Sequence, residues 1–110
     1  LPFYKVKNRT TGLEEKVSFD NYIRKHIYNK FRYPEFAMDH ELQGRVIVHF
    51  FIDKEGNPQI NDAIGPVNGL ILEEEAIRII KSLPTAIPAN CDGKPINIMF
   101  AIPILFQMQE

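Results

Sequence analysis

The sequence predicts an α+β domain with the element order α-β-β-α-β, in which two helices pack on one face of an antiparallel sheet. Two stretches repeat apolar residues with the period of an amphipathic helix, and another alternates with the two-residue period of a strand covered on one side. A turn motif directly after that strand indicates a hairpin. The expected sheet has three strands, and a short strand at residues 3–6 would make it four-stranded.

The first helix is predicted after a polar N-terminal segment. Residues 1–17 contain few apolar side chains and are expected to form an extended lead-in, which leaves residues 18–110 as one domain. Ser18 suits the N-cap position, because its hydroxyl can accept a backbone N–H of the first turn. The apolar stripe that predicts this helix, which ends near Asn29, consists of Phe19, Tyr22, Ile23, His26 and Ile27.

Tyr33-Pro34 separates this helix from the clearest strand of the sequence. The residue before a proline is pushed into extended geometry, so the helix ends here, and one further helical turn is expected at residues 35–41. Gln43-Gly44 then opens the strand. Its uniformly apolar side, which is expected to meet the core, consists of Val46, Val48, Phe50 and Ile52.

A turn at residues 53–57 connects this strand to a second, more polar one. Gly56 can adopt a positive φ angle without steric cost, as such a turn requires. The second strand is predicted at residues 58–64. Ile60 and Ile64 are its expected contacts with the core.

A second amphipathic helix precedes a loop rich in proline and glycine and then a long last strand at residues 96–108. Glu73, Glu74 and Glu75 lie in the first turn of the helix and are expected to be solvated there, where they complement the helix dipole. The helix stripe consists of Leu72, Ala76, Ile79, Ile80 and Leu83, and the inward residues of the strand are Ile98, Phe100, Ile102, Ile104 and Phe106.

The composition excludes several classes of protein. Thirteen basic and fourteen acidic residues leave a net charge of −1, without the positive excess of a nucleic-acid binder or of a polybasic membrane anchor. No stretch approaches about 18 apolar residues, so none is expected to span a bilayer. The single cysteine, Cys91, cannot form an internal disulfide. The chain starts at Leu1 rather than Met, which fits a fragment or processed form with a signal peptide or anchor upstream.

The chemically capable side chains show no pattern typical of catalysis or metal binding. His26, His40 and His49 are scattered, and none has a partner at metal-ligand spacing. Cys91 lacks a neighbouring base that would activate it as a nucleophile, and residues 53–56 lack the alternating oxygen ligands of a calcium loop. Walker, GxGxxG and GxSxG motifs are absent from the sequence. We therefore expect a non-catalytic protein without a metal or cofactor.

Pro103 interrupts the last predicted strand, which is otherwise long and apolar. Because a proline cannot donate to a strand ladder, this strand is expected at the edge of the sheet, or bulged there. The outward side chains of Asn97, Met99 and Ala101 are small or flexible and would let another strand approach. Two interpretations stay open at this point, a strand-addition site for an extended peptide and an ordinary solvent-facing edge.

Several short motifs follow one another along the chain at characteristic spacings. They are Phe19-x-x-Tyr22-Ile23, Tyr33-Pro34-x-x-Ala37, Gly44-x-Val46-x-Val48-x-Phe50-x-Ile52-Asp53-x-x-Gly56, Leu72-Glu73-x-Glu75-Ala76-x-Arg78-x-Ile80, Gly93-Lys94-Pro95 and Pro103-Ile104-x-Phe106. Together, over about residues 19–108, they resemble the C-terminal domain of the TonB family of energy transducers.

The resemblance implies a periplasmic domain, tethered to the inner membrane by an N-terminal segment that meets the ExbB–ExbD proton-driven motor. Such a domain binds the TonB box, an extended peptide of a TonB-dependent outer-membrane receptor, as a parallel neighbour of its last strand. This binding couples the proton-motive force to nutrient import. Carried over to this chain, the receptor-peptide-binding residues are Asn97, Ile98, Met99, Phe100, Ala101 and Ile102 in the strand, with Tyr33 and Pro34 flanking the peptide.

The resemblance also leaves an alternative function. The same fold ends sensor-type membrane peptidases and stand-alone secreted proteins, so a periplasmic interaction module without a transport role is the other hypothesis. Family members often carry Trp where this chain has Ala86, two residues before Pro88. No nucleic-acid partner is expected, and an unfilled edge would allow a homodimer through the last strand.

Overall fold

Three antiparallel strands form the central sheet, and helices cover one of its faces. The computed structural model describes residues 1–7 and 10–108. The predicted α+β class is confirmed, with three helices in the described part of the chain. In chain order the elements are β1 (Phe3–Lys7), β2 (Glu14–Ser18), α1 (Phe19–Lys30), α2 (Glu35–Asp39), β3 (Gly44–Ile52), β4 (Pro58–Ile64), α3 (Leu70–Lys81), β5 (Asn90–Cys91), β6 (Lys94–Pro95) and β7 (Ile98–Phe106).

The central sheet has the strand order β4-β3-β7, and both pairings are antiparallel. β3 lies in the middle, which explains why its inward side is uniformly apolar. The prediction for this side is confirmed, because all four of its side chains are fully buried. Burial also alternates along β7, where the even-numbered residues face the helices. The four buried residues of β3 are Val46, Val48, Phe50 and Ile52.

A bulge in β4 makes one predicted core contact wrong. Ile60 packs against the core as expected, but Ile64 is 58% exposed and Ala63 packs inward instead. The register between β3 and β4 shifts at His49 and Phe50, where β4 contains one extra residue. Because side chains alternate along a strand, one inserted residue exchanges the inward and outward positions that follow it.

The helices form where the apolar stripes predict them. Ser18 caps α1 by accepting the Asn21 N–H at 3.3 Å, and the single helical turn expected after Pro34 is α2. The buried side of α3 includes Leu72 and Ile79, as its stripe predicts. None of the helices in residues 1–7 and 10–108 has the length and apolar character needed to cross a membrane.

The predicted N-terminal lead-in is a β-hairpin that packs on the core. β1 confirms a short strand at residues 3–6, but the expectation that it adds a fourth strand to the sheet is wrong, because β1 pairs with β2 in a separate two-stranded sheet. The strand β2 was not predicted, because a polar two-stranded ribbon has no clear apolar pattern. Tyr4 is buried, and its hydroxyl donates to the carbonyl oxygen of Pro84 at 2.9 Å. Phe3 and Ile87 exchange two backbone hydrogen bonds. The hairpin therefore joins the loop after α3.

The loop after α3 also packs against the β3–β4 turn. The Ala86 N–H donates to the Gly56 carbonyl oxygen at 2.8 Å, and Gly56 has a φ of 88°. Ala86 is buried. Further along the chain, β5 and β6 form a small hairpin with two residues in each strand. The predicted strand start at Ile96 is two residues too early, because the Ile96 N–H bonds to the Ala89 carbonyl oxygen and β7 begins at Ile98.

Glu75 is buried, so the expectation that all three glutamates of α3 are solvated is wrong. Both carboxylate oxygens bond to the Arg78 guanidinium, at 2.6 and 2.7 Å, and one also accepts the Arg32 N–H at 2.9 Å. Arg78 in turn donates to the Lys30 carbonyl oxygen at 2.7 Å. This network holds α3 against the segment at the end of α1, where Arg32 donates to Glu75 and the Lys30 carbonyl oxygen accepts from Arg78. Helical periodicity alone does not locate these partners.

Candidate functional site

The outer edge of β7 is unpaired within the described residues. β7 pairs with β3 on one side, and no other described strand lies beside it. Pro103 stands opposite Ile47 in this pairing. The sequence-based prediction that Pro103 marks an edge strand is therefore confirmed.

A hydrogen bond in the turn after β3, together with the register of β7, shows which backbone groups of β7 face the free edge. The Asp53 N–H donates to the Asn57 carbonyl oxygen at 2.9 Å, so odd-numbered residues of β3 direct their backbone groups toward β4 and even-numbered ones toward β7. The register then pairs Phe50 with Phe100. The even-numbered residues of β7 thus bond to β3, whereas its odd-numbered residues direct their backbone groups to the free edge.

Two of the six predicted strand residues present both an N–H and a carbonyl at this edge. Met99 is 73% exposed, and Ala101 is also exposed. Together they offer two donors and two acceptors, at the spacing that an added strand requires. The other predicted residues precede the strand or bond to β3, and they are Asn97, Ile98, Phe100 and Ile102.

Tyr33 and Pro34 lie near the opposite end of β7. The Tyr33 ring meets Phe106 edge to face, with 5.8 Å between centroids, and its hydroxyl donates to the Leu42 carbonyl oxygen. Burial raises the pKa of the Tyr33 hydroxyl above its ordinary value. Phe106 lies about 13 Å along the strand from Ile102. The structure therefore does not bring Tyr33 and Pro34 together with the predicted strand residues.

Helix α1 borders the free edge of β7, and its residues are absent from the site predicted from the sequence. Two grooves of about 360 and 270 Å³ lie between the helix and the strand. Arg24, Ile27 and Pro103 line both grooves, and Tyr28, which is 82% exposed, lines the larger one. A strand added to β7 would direct alternate side chains toward these grooves.

Aromatic contacts hold α1 alongside β7. The Phe19 ring stacks on Phe100 at 4.5 Å between centroids, and Phe31 meets Phe106 at 5.2 Å. The helix and strand therefore run side by side in the same direction. The apolar stripe indicated that Ile27 faces other residues, but a stripe does not say which strand a helix covers. Tyr28 lies outside the apolar stripe of α1. An aromatic residue at such a position is the signal in the sequence that could have indicated this surface.

In the described residues, no three His, Cys, Asp or Glu side chains form a group that could hold a metal ion. His26 is buried and its Nε2 lies 3.0 Å from the Ile79 carbonyl oxygen. Burial lowers the pKa of this imidazole. His49 lies 2.5 Å from Asp62 on the open face of the sheet, and Cys91 is an exposed free thiol.

The fold and the site together are typical of a small interaction domain, a two-layer α+β structure whose outermost strand has an available edge. Comparison with known families is more specific. The family described as the Gram-negative bacterial TonB protein C-terminal matches residues 29–108, so this chain belongs to the TonB C-terminal domain family. The resemblance recognised in the sequence is thereby confirmed.

A solved structure shares this fold. The NMR solution structure of the TonB C-terminal domain of Helicobacter pylori matches with a TM-score of 0.56 and 23% sequence identity, over 84% of this chain and 82% of that one. No curated protein matches the chain. The family match begins at Asn29, so the β1–β2 hairpin and most of α1 precede the matched residues.

Proposed function

We propose that this domain binds an extended peptide of a TonB-dependent outer-membrane receptor by adding it to β7 as a further strand. Its family is one of non-catalytic interaction domains of energy transducers. In the proposed role the domain lies in the periplasm and is tethered to the inner membrane by a segment outside this chain. An ExbB–ExbD motor acts through that segment, so that binding couples the proton-motive force to nutrient import.

The free edge of β7 is the observation that supports this proposal most directly. Met99 and Ala101 provide unpaired main-chain groups there, and no described strand covers them. Hydrogen bonds to the main chain do not depend on the peptide's side chains, so one edge can accept receptors of varied sequence. The grooves beside α1 supply contacts for alternate side chains, and these contacts would discriminate among the peptides.

Strand addition also suits a domain that transmits force. Hydrogen bonds between neighbouring strands lie across the strand direction. A pull along the peptide therefore loads several bonds in shear at the same time, instead of opening them one after another. A short peptide can thus resist a pulling force.

An amide NMR titration with synthetic TonB-box peptides from several receptors tests the proposed site. We expect shifts at Met99 and Ala101, and at Arg24 and Tyr28 on the α1 side of the groove. Shifts near Tyr33 are expected only for peptides long enough to reach Phe106. Shifts restricted to the β4 edge, or no shifts at millimolar peptide, would contradict the proposal and favour the module without a transport role.

A pair of variants at Met99 separates the main-chain contribution from that of the side chain. Met99→Pro removes an outward N–H without removing a bond to β3, so the fold should persist while peptide affinity falls about tenfold, as expected for one lost hydrogen bond. Met99→Ala keeps the N–H and serves as the control, with a smaller loss. Amide spectra of both variants verify folding. Wild-type affinity in a folded Met99→Pro protein would count against strand addition here.

The same edge offers a second copy of this chain a surface for pairing, so we also propose that peptide binding competes with a homodimer through β7. Sedimentation equilibrium with and without peptide measures this competition. Met99→Pro should weaken the dimer, and peptide should dissociate it. A dimer that is unaffected by both would use another surface.

A further inference from the structure

Positive charge is concentrated in the N-terminal part of this chain. Residues 1–32 contain eight of the 13 basic residues but only three of the 14 acidic ones. The net charge of −1 therefore combines a positive N-terminal segment with a negative remainder. Most of the positive segment precedes Asn29, where the family match begins. A local excess of one sign attracts ligands of the opposite sign even when the whole protein is almost neutral.

The structure gathers part of this charge around a groove between the β1–β2 hairpin and α1. The groove has a volume of about 530 Å³. Val6, Val17 and Tyr22 give it an apolar lining, and the amides of Asn21 and Asn29 add hydrogen-bonding groups. A groove of this size and composition can hold several residues of an extended peptide.

Three cations line this groove. Arg24, Lys25 and Lys30 are all exposed, and none of their charged groups has an ion-pair partner among residues 1–7 and 10–108. On the hairpin, Glu15 pairs opposite Val6 and so lies on the same side, but the positive charge is in excess. The groove therefore favours an acidic segment whose remaining contacts are with apolar and amide groups.

Arg24 connects this groove with the free edge of β7. It lines the hairpin groove and both grooves beside β7, where Pro103 is its neighbour in the lining. Pro103 has no N–H, so the main-chain pairing of an added strand weakens at this residue. A peptide that leaves the edge here meets α1 at Arg24. Four to six extended residues, at about 3.3 Å each, would cross a helix roughly 10 Å wide.

We infer that the receptor peptide continues past its β7-bound part into an acidic segment, which crosses α1 at Arg24 and binds in the hairpin groove. This inference rests on the proposed function and names the chemistry of a second binding segment. Exposed charge pairs are individually weak, so three of them should increase affinity about tenfold at low salt. Screening should remove most of this gain at high salt.

Three peptides test the inference, measured by fluorescence anisotropy with the full chain. One is a TonB-box peptide flanked by neutral glutamines, and the others carry a run of glutamates on its N-terminal or C-terminal side. Only one flank of a peptide bound to β7 reaches Pro103, so one acidic peptide should bind about tenfold more tightly than the neutral one. An equal gain for both acidic peptides, or no gain for either, would overturn the inference.

Two charge-reversal variants locate the gain. Lys25→Glu with Lys30→Glu should abolish it, whereas Lys54→Glu with Lys94→Glu, the same change of charge at exposed sites outside the groove lining, in the β3–β4 turn and in β6, should leave it intact. Equal losses in both variants would show a long-range charge effect and reject the groove.

The neutral peptide separates the two proposals. If it binds and Met99→Pro weakens it, strand addition stands whether or not an acidic flank adds affinity. If the neutral peptide fails to bind, strand addition fails, and acidic-peptide binding that is insensitive to Met99→Pro would reject the inference as well. If the neutral peptide binds, sensitivity of both the neutral and the acidic peptide to Met99→Pro, together with the tighter binding of one acidic peptide, supports both proposals.

Discussion

Replacing Gly56 with alanine should destabilise the fold strongly, because two separate features of the β3–β4 turn require glycine. The residue is buried and has a φ of 88°, in the left-handed region that other residues rarely adopt. A Cβ atom built at this position would lie 1.9 Å from the Ala86 carbonyl oxygen, a distance that no real contact reaches. Either the turn or the loop after α3 must therefore move.

The magnitude follows from these contributions. A positive φ costs a non-glycine residue about 1–2 kcal/mol. Separating the turn from the loop loses the hydrogen bond from the Ala86 N–H to the Gly56 carbonyl oxygen, worth about 1 kcal/mol. Displacing a packed backbone segment adds about 1–3 kcal/mol. The expected loss of about 3–6 kcal/mol is a large part of the roughly 5–15 kcal/mol that stabilises a domain.

Urea denaturation followed by circular dichroism measures this loss. With an m value of about 1–3 kcal/mol/M, the midpoint for Gly56→Ala should fall by about 2 M. Gly93→Ala is the matched control, since Gly93 has a φ of 82° but nothing within 4 Å of a built Cβ atom. It should lose only the backbone contribution of about 1–2 kcal/mol.

Equal destabilisation by the two alanines would refute the reasoning. It would mean that the left-handed backbone accounts for the whole effect and that contact with Ala86 contributes nothing. A Gly56→Ala protein that matches Gly93→Ala in midpoint, with an unchanged m value, is therefore the decisive contrary result.

Three other side chains give predictions that one set of denaturation curves can check. Burial lowers the pKa of His26 in the folded protein, so protons bind more readily to the unfolded chain. The free energy of unfolding should therefore fall as the pH drops below about 6.5. His26→Gln should lack this pH dependence. An identical pH slope in both proteins would be contrary. Glu75→Ala should cost about 2–4 kcal/mol, because the Arg32 N–H and Arg78 lose their acceptor, and wild-type stability would argue against the network. Tyr33→Phe should cost about 1 kcal/mol through the lost hydrogen bond to Leu42, with no change if that bond is unimportant.

The sequence predicted the β7 part of the proposed binding surface but not the α1 residues that border it. Pro103 indicates an edge strand by its residue type and its place in an apolar run, because a missing N–H is a property of the residue itself. The alternation also predicts that the side chains of Met99 and Ala101 point away from the core. That their backbone groups, rather than those of Phe100, face the free edge depends on the pairing with β3. That Arg24 and Tyr28 border the same edge depends on where α1 packs.

The sequence by itself determined the class of fold, the helices and the inward side of β3, because these features depend on interactions between residues close together in the chain. Apolar periodicity, the Ser18 cap and the glycine of the turn act through neighbours a few residues away, and the structure retains all of them. The family resemblance was likewise visible in ordered short motifs and is confirmed over residues 29–108.

The tertiary structure alone decided the features that depend on partners far apart in the chain. The bulge that turns Ile64 outward arises between two strands, and the buried Glu75 accepts a backbone N–H from Arg32, just beyond α1. The β1–β2 hairpin stays in place through Tyr4 and the loop after α3, which lies some eighty residues away in sequence. A periodic pattern records which side of an element is buried, but the partner that buries it is set by how the elements pack.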